Sequence, residues 1–290
     1  MGLNTFKLKM IALVFMVIDH IGMFIPGMPI WLCYVGRLSA PIFSFCLVWG
    51  LDYTKNRKRH LMTLYIASVI MAVLWLIINM NHLDKSGSTY LNIFSTFFIA
   101  SAILILFQRY SFKKAICIFI VWQSFSYTVL LASSIFFSAS DAIIRIEAAL
   151  TGNIIGCEGG IGWIILILLL YCSKNNKKKL AVNYALYCVL YEFISATAIF
   201  ARLFYYIDWH TDHVASEWMT IIYKMIFGEI PQWTPMVLHG LYWGDYQWIM
   251  IAALPLMLLY NNERGRKWKW FFYIFYPVHI VILVAIGNYL

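Results

Sequence analysis

Residues 11–25 read IALVFMVIDHIGMFI. The run is apolar enough for lipid, yet Asp19 and His20 stand side by side within it. An aspartate at the centre of a membrane helix costs about 2.5–3.5 kcal/mol on insertion scales. Such residues must therefore face a protein interior or a water-filled cavity, and everything outside the stretch has to agree with a membrane setting.

Composition does agree. Of 290 residues, 62% are hydrophobic and only 12% charged, with a mean hydropathy of +0.76. Soluble domains are closer to half apolar and a quarter charged. Tyr, Trp and Phe make up 18%, as expected where rings sit at two lipid–water interfaces. The sequence predicts an all-α, polytopic transmembrane helical bundle forming one domain over 1–290, with no loop long enough to fold alone. Lys7 and Lys9 precede the first run as in a signal peptide, but Asp19 and His20 follow where a small-residue cleavage site would stand, so the run reads as a retained span. The six cysteines lie in or beside apolar runs without a CxxC pair and read as small core residues.

A crossing takes about 20 apolar residues. Nine segments qualify, near 8–25, 31–50, 61–80, 90–108, 115–137, 153–172, 181–207, 244–260 and 270–290. The stretch 219–243, with Glu229, Pro231, Pro235 and His239, is patchily apolar and would raise the number to ten or eleven if it enters the bilayer. Seventeen of the 22 lysines and arginines fall at the N-terminus and in every second loop (55–59, 109–114, 174–179 and 264–269), while the alternate loops carry acids from Asp84 to Asp245. By the positive-inside rule the basic clusters and the N-terminus are cytoplasmic and the C-terminus is outside.

That topology puts a set of polar residues at mid-to-outer depth: His20 and Asp19 in span one, Arg37 in span two, Asn92 near the outer end of span four, Glu158 in the outer third of span six, and His279 near the middle of the last span. Intramembrane ionisable residues default to a functional site, against the plainer reading of ion pairs that lock helices together. Asp19 and His20 are about 100° apart on a helix, so they do not face each other. Spans one and two form a tight hairpin through IPGMP, which favours an Asp19–Arg37 pair. His20 can exchange a proton near neutral pH or serve as a helix–helix hydrogen bond. In FYIFYPVHIVIL, Pro277 removes a backbone donor, and Tyr276 and His279 share a face three residues apart; this suits a cavity wall or a packing kink. GCEGGIGW at the head of span six has four glycines around Glu158, as in an unwound turn. Glu192 and Arg202 lie ten residues apart on one span and have no evident role. The loop DWHTDHVASEW holds His210 and His213 with two aspartates, which is commoner as an exposed loop than as a metal site; no metal is expected. The basic runs KNRKR and KNNKKK read as topology signals, or as attractors of a polyphosphorylated substrate. There is no Walker motif, GxGxxG or GxSxG in context, and dispersed basic residues at one membrane face exclude nucleic-acid binding.

Four stretches together, LKMIALVFMVIDHIGMF, VGRLSAPIFSFCLVWGLDYTKNRKRHL, LNIFSTFFIA and ALPLMLLYNNERGR…FFYIFYPVHIVIL, resemble the TraX family, named for a protein of F-pilin N-terminal acetylation and related to the acyltransferase-3 superfamily. The resemblance implies a bacterial inner-membrane acetyltransferase taking acetyl-CoA as donor, with a pilin, peptide or surface-carbohydrate acceptor at the outer face. It carries a catalytic role onto His20 through the IDH element and onto Arg37 through GRL. Tyr276 and His279 join the candidate catalytic set; Asp19, Asn92, Glu158 and Arg37 are candidates for substrate binding. His20 would act as general base, with Arg37 or Tyr276 as oxyanion donor, or with Arg37 on a CoA phosphate instead; transfer is either direct or relayed through His20. A transporter, or an assembly factor without chemistry, are the competing classes.

Overall fold

The helices begin where an asparagine can supply the missing acceptor. Asn4, Asn56, Asn92 and Asn176 each take a backbone N–H three residues on, from Lys7, Arg59, Ser95 and Lys179, at 2.9–3.2 Å, satisfying one orphan donor per helix. The computed structural model describes residues 2–81, 83, 90–137, 140–196, 203, 206–207, 209–211 and 247–290. The 219–243 stretch, the outer part of span seven with Arg202, and His213 with Asp208 and Asp212 lie outside the described residues.

The elements are α1 (Thr5–Phe24), α2 (Trp31–Gly36), α3 (Ser39–Asp52), α4 (Arg57–Met80), α5 (Ile93–Arg109), α6 (Phe112–Phe137), α7 (Asp141–Thr151), a 3-10 turn (Ile154–Gly156), α8 (Gly160–Ser173), α9 (Lys177–Ala196), a 3-10 segment (Gln247–Ala253) leading into α10 (Leu254–Leu258), and α11 (Lys269–Tyr289). Apart from an isolated bridge between Leu3 and Tyr260, the described residues are helical or loop. Among the described residues, four stretches, 31–52, 57–80, 112–137 and 269–289, are long and apolar enough to cross a membrane; α5, α8 and 247–258 are shorter apolar helices. Helix α1 has comparable length but carries Lys7, Lys9 and Asp19.

All five basic clusters meet at one end of the bundle. Leu3 exchanges backbone bonds with Leu259 and Asn261, and Thr5 and Phe6 bond to Glu263 and Arg264. Tyr53 joins this strap through Tyr260, whose hydroxyl also meets Thr5; burial raises the Tyr260 phenol above its ordinary pKa, so the strap stays un-ionised. Lys174 pairs with Asp52, Lys177 caps the Leu258 carbonyl, Arg57 meets Gln108, and Gln108 meets Tyr171.

Two expectations need correction. Residues 153–172 do not form one continuous span. The crossing is split into α7, about 16 Å long, and α8, about 21 Å. Neither reaches across a core of about 30 Å alone; end to end they do. Helix α7 runs antiparallel to α6, from Glu147 on Ser133 down to Thr151 on Ser126 and Trp122. The break falls at Gly152, Gly159 and Gly160, all with positive φ, a region a Cβ makes costly. At Gly159 a Cβ would also collide with the Trp163 indole. A polar cluster covers the backbone that the break uncovers: Gln123 bonds both Gly152 O and Ile154 N, and Asn153 bonds Ser126 and Ile155 N. This is the condition for irregular backbone at membrane depth. Glu158 therefore sits in the break between α7 and α8, not within a helix. The second correction concerns span eight. The described part of 244–260 is 3-10 from Gln247 to Ala253 before one α-helical turn, and is too short to count as a full α-helical crossing.

Candidate functional site

Helix α1 presents its two polar neighbours to different partners, as their 100° separation requires. Asp19 points to α2, where Arg37 Nη2 donates to both carboxylate oxygens at 2.9 and 3.1 Å. The pair is mostly buried, with side-chain exposures of 18% for Arg37 and 13% for Asp19. Arg37 stands between α2 and α3, its Nε also donating to Cys33 O. Gly36 lets the helices close this tightly: a Cβ there would occupy the space of the Asp19 carboxylate. The pair expected from the short hairpin is formed.

His20 points the other way, to α11. Its Nδ1 lies 2.6 Å from Nε2 of His279, the rings 2° from parallel, and the residues are 4% and 6% exposed. His279 Nδ1 lies 2.9 Å from the Phe275 carbonyl. A carbonyl only accepts, so His279 Nδ1 carries the proton. With both rings neutral, His279 Nε2 is then an acceptor, His20 Nδ1–H donates to it, and the His20 nitrogen left to face the cavity is Nε2 with its lone pair. Helix α11 approaches α1 this closely because Gly287, two turns beyond His279 on the same face, packs against the Phe24 carbonyl. Pro277 lies inside α11 without ending it.

Tyr276 lies beside the pair, its ring 5.5 Å from that of His279 and 6.3 Å from that of His20. Its hydroxyl donates to Glu158 Oε2 at 3.3 Å. The N-terminus of α5 closes the group: the Asn92 backbone N–H faces the Glu158 carboxylate and that of Ile93 faces the Tyr276 hydroxyl, as helix N-termini do for negative charge. The Asn92 side chain itself does not line the cavity. Its amide bonds Ser68 O and Tyr90 while its oxygen caps α5, so it serves as a helix clamp rather than as the substrate contact it suggested. Glu192 accepts from the Trp248 backbone N–H, and His210 is on the Tyr206 carbonyl; neither lines the cavity around this group.

His20, Asp19, Arg37, Glu158 and Tyr276 line one cavity of about 1190 Å³. It reaches the basic end at Lys55 and Arg266, and toward the opposite end it reaches Tyr90, Asp141 and Arg145, where the Arg145 guanidinium lies 4.6 Å over the Tyr90 ring. The break at 152–160 and the α5 N-terminus, one from sequences far apart in the chain from the other, form its wall. Gly287 and the two α5 backbone donors are parts of the site that residue-by-residue reading misses. The glycine eight residues after His279 was the only available signal.

A helical bundle long and apolar enough for a membrane, with titratable groups at mid-height around an internal cavity, defines the class as a helical membrane protein. The chain belongs to the TraX protein family, whose model matches residues 5–287. It is 25% identical over 304 aligned residues to the probable fimbrial assembly protein FimC, serogroup H1, of Dichelobacter nodosus, covering 99% of this chain and 97% of that protein. No solved structure matches the chain.

Proposed function

We propose that the protein is a multi-pass bacterial inner-membrane acetyltransferase that moves an acetyl group from acetyl-CoA to a pilin or other peptide N-terminus, or to a surface carbohydrate. The observation that carries the reading is the His20–His279 pair: it leaves an unprotonated imidazole nitrogen in a cavity open to the basic end. A cytoplasmic basic end is part of this reading, as is acetyl-CoA entry from that end.

In the reaction, the acceptor amine or hydroxyl attacks the thioester carbonyl and His20 Nε2 takes its proton. The oxyanion collapses, the C–S bond breaks, and the thiolate leaves with the proton from His20. Both Arg37 and Tyr276 line the cavity; Arg37 is the better oxyanion partner, because the single Tyr276 hydroxyl proton is donated to Glu158, whereas a guanidinium carries five N–H donors and a permanent positive charge. His279 holds the His20 ring and its tautomer. An ammonium acceptor must lose two protons, and Glu158, which lines the same cavity, is the second acceptor.

The test is transfer of labelled acetyl from acetyl-CoA to envelope peptide and carbohydrate fractions in membranes holding wild type or His20→Ala. Loss of at least about a hundredfold is expected for a missing general base; equal transfer removes His20 from the mechanism. The printed name of the Dichelobacter relative supports a second reading, an assembly factor without chemistry. That reading predicts normal pilus assembly by His20→Ala.

A further inference from the structure

We infer that the basic mouth of the cavity is a binding site for the phosphates of a soluble nucleotide, held by Lys55, Arg59, Arg264, Arg266, Lys267 and Lys269. In the proposed reaction this is the phosphorylated adenosine end of CoA, and to that extent the inference rests on that reading.

Two segments far apart in sequence, 55–59 and 264–269, bring these six cations to one opening, with Lys9 of α1 just inside it. Among the described residues no carboxylate lines that end. The cavity's acids are Asp19, Glu158 and Asp141, of which the first two sit at the histidine pair and the third beyond it. The cations act on one another: Arg59 and Lys9 both repel the Lys269 ammonium, and Arg264 repels Lys9. Such a group is held together at an electrostatic cost that an anion relieves. His60, on the same wall, has a buried Nε2 without a hydrogen-bond partner, which a bound oxygen or hydroxyl would satisfy.

Membrane topology alone does not explain the arrangement. The run 174–179 is as basic, yet none of its lysines lines the cavity. Lys174 is spent on Asp52 and on the rings of Trp49 and Tyr171, and Lys177 on the Leu258 carbonyl. The mouth also has a rim of exposed rings, Trp268 and Trp270, which suits a nucleobase beside its phosphates. Depth sets the shape of the ligand. Lys9, just inside the mouth, and His20 are eleven residues apart on α1, about 16 Å. A ligand with phosphates at the mouth reaches the histidines only through a long, thin, uncharged arm.

The inference is tested by calorimetric titration of the full chain in phosphatidylcholine nanodiscs with three probes: CoA, adenosine 3′,5′-bisphosphate and pantetheine. CoA and the bisphosphate are expected to bind, more weakly as salt rises, and pantetheine at least tenfold more weakly than CoA. Arg266→Glu with Lys267→Glu should weaken CoA at least tenfold. Lys178→Glu with Lys179→Glu, in the other basic run, should leave it unchanged. If the Glu variants elute as aggregates, Arg266→Gln with Lys267→Gln takes their place with the same direction. Equal binding of pantetheine and CoA, or equal loss from the two double variants, overturns the site. So does a mouth that ignores CoA but retains phosphatidylglycerol in mixed nanodiscs by native mass spectrometry, which would assign the phosphates to lipid headgroups. CoA binding without acetyl transfer would sink the acetyltransferase and leave the site standing; acetyl transfer by a protein whose mouth variants bind CoA normally would do the reverse.

Discussion

Replacing His279 with leucine isolates what the second histidine does. The bond it removes is short, 2.6 Å, between two buried rings. A hydrogen bond of this kind is worth a net of about 0.5–1.5 kcal/mol; taking about 1.4 kcal/mol, it biases His20 tenfold toward the tautomer protonated on Nδ1. Without it the two tautomers become comparable, and the fraction of His20 with Nε2 ready as a base falls accordingly. The ready fraction falls from about nine-tenths to about one-half, so His279→Leu should cost acetyl transfer only about twofold through the tautomer, well short of the loss from His20→Ala. His279→Gln, whose amide oxygen can stand near the lost Nε2, should recover most of it. The direct readout is 15N magnetic resonance of histidine-labelled protein in lipid, in which protonated and bare ring nitrogens resonate far apart. Wild type should show His20 protonated at Nδ1 and bare at Nε2, His279→Leu a mixture, and His279→Gln the wild-type pattern. A wild-type His20 protonated at Nε2, or a leucine variant with unchanged tautomer and rate, refutes the reasoning.

Three further outcomes follow from the geometry. Arg37→Met leaves the Asp19 carboxylate without its partner, and breaking a buried pair costs about 3–5 kcal/mol; with both side chains slightly exposed, about 2–3 kcal/mol of stability should be lost in detergent unfolding, and Arg37→Met with Asp19→Asn should lose less than the single variant. An additive double variant would mean that the pair is not coupled. Gly36→Ala pushes a methyl into the Asp19 carboxylate and should destabilise by about 1–3 kcal/mol; a neutral effect in the same unfolding assay would contradict the close approach of α1 and α2. Glu158→Leu strands the Tyr276 hydroxyl and should lower stability by about 1–3 kcal/mol, while Glu158→Gln keeps an acceptor and should unfold like wild type; equal loss from both would assign Glu158 a purely electrostatic role.

Much of the site was legible because its signals are local. A charge in an apolar run must face inward, which singled out Asp19, His20, Arg37 and Glu158. A hairpin as short as IPGMP leaves Asp19 and Arg37 few other partners. Three-residue spacing put Tyr276 and His279 on one face, and four glycines around Glu158 marked a break. Asn92 misled for an equally local reason: an asparagine near a helix end in a membrane looks like a ligand contact, but here the α5 N-terminus and the Ser68 carbonyl use all of it. The extent of the break was also hidden. Helix α7 has a polar face and only eleven residues, so it reads as a loop until α8 is seen to complete its crossing.

By itself the sequence determined the membrane class, the basic and acidic ends, and which polar residues had to be buried, since each follows from the cost of placing charge in lipid. Which of them meet was decided by the tertiary structure alone. His20 and His279 are 259 positions apart, and no spacing rule links two helices at opposite ends of a chain. Their contact depends on a glycine packing against a carbonyl two turns away. The direction of the hydrogen bond between them, and so the nitrogen left for chemistry, depends on one carbonyl of Phe275.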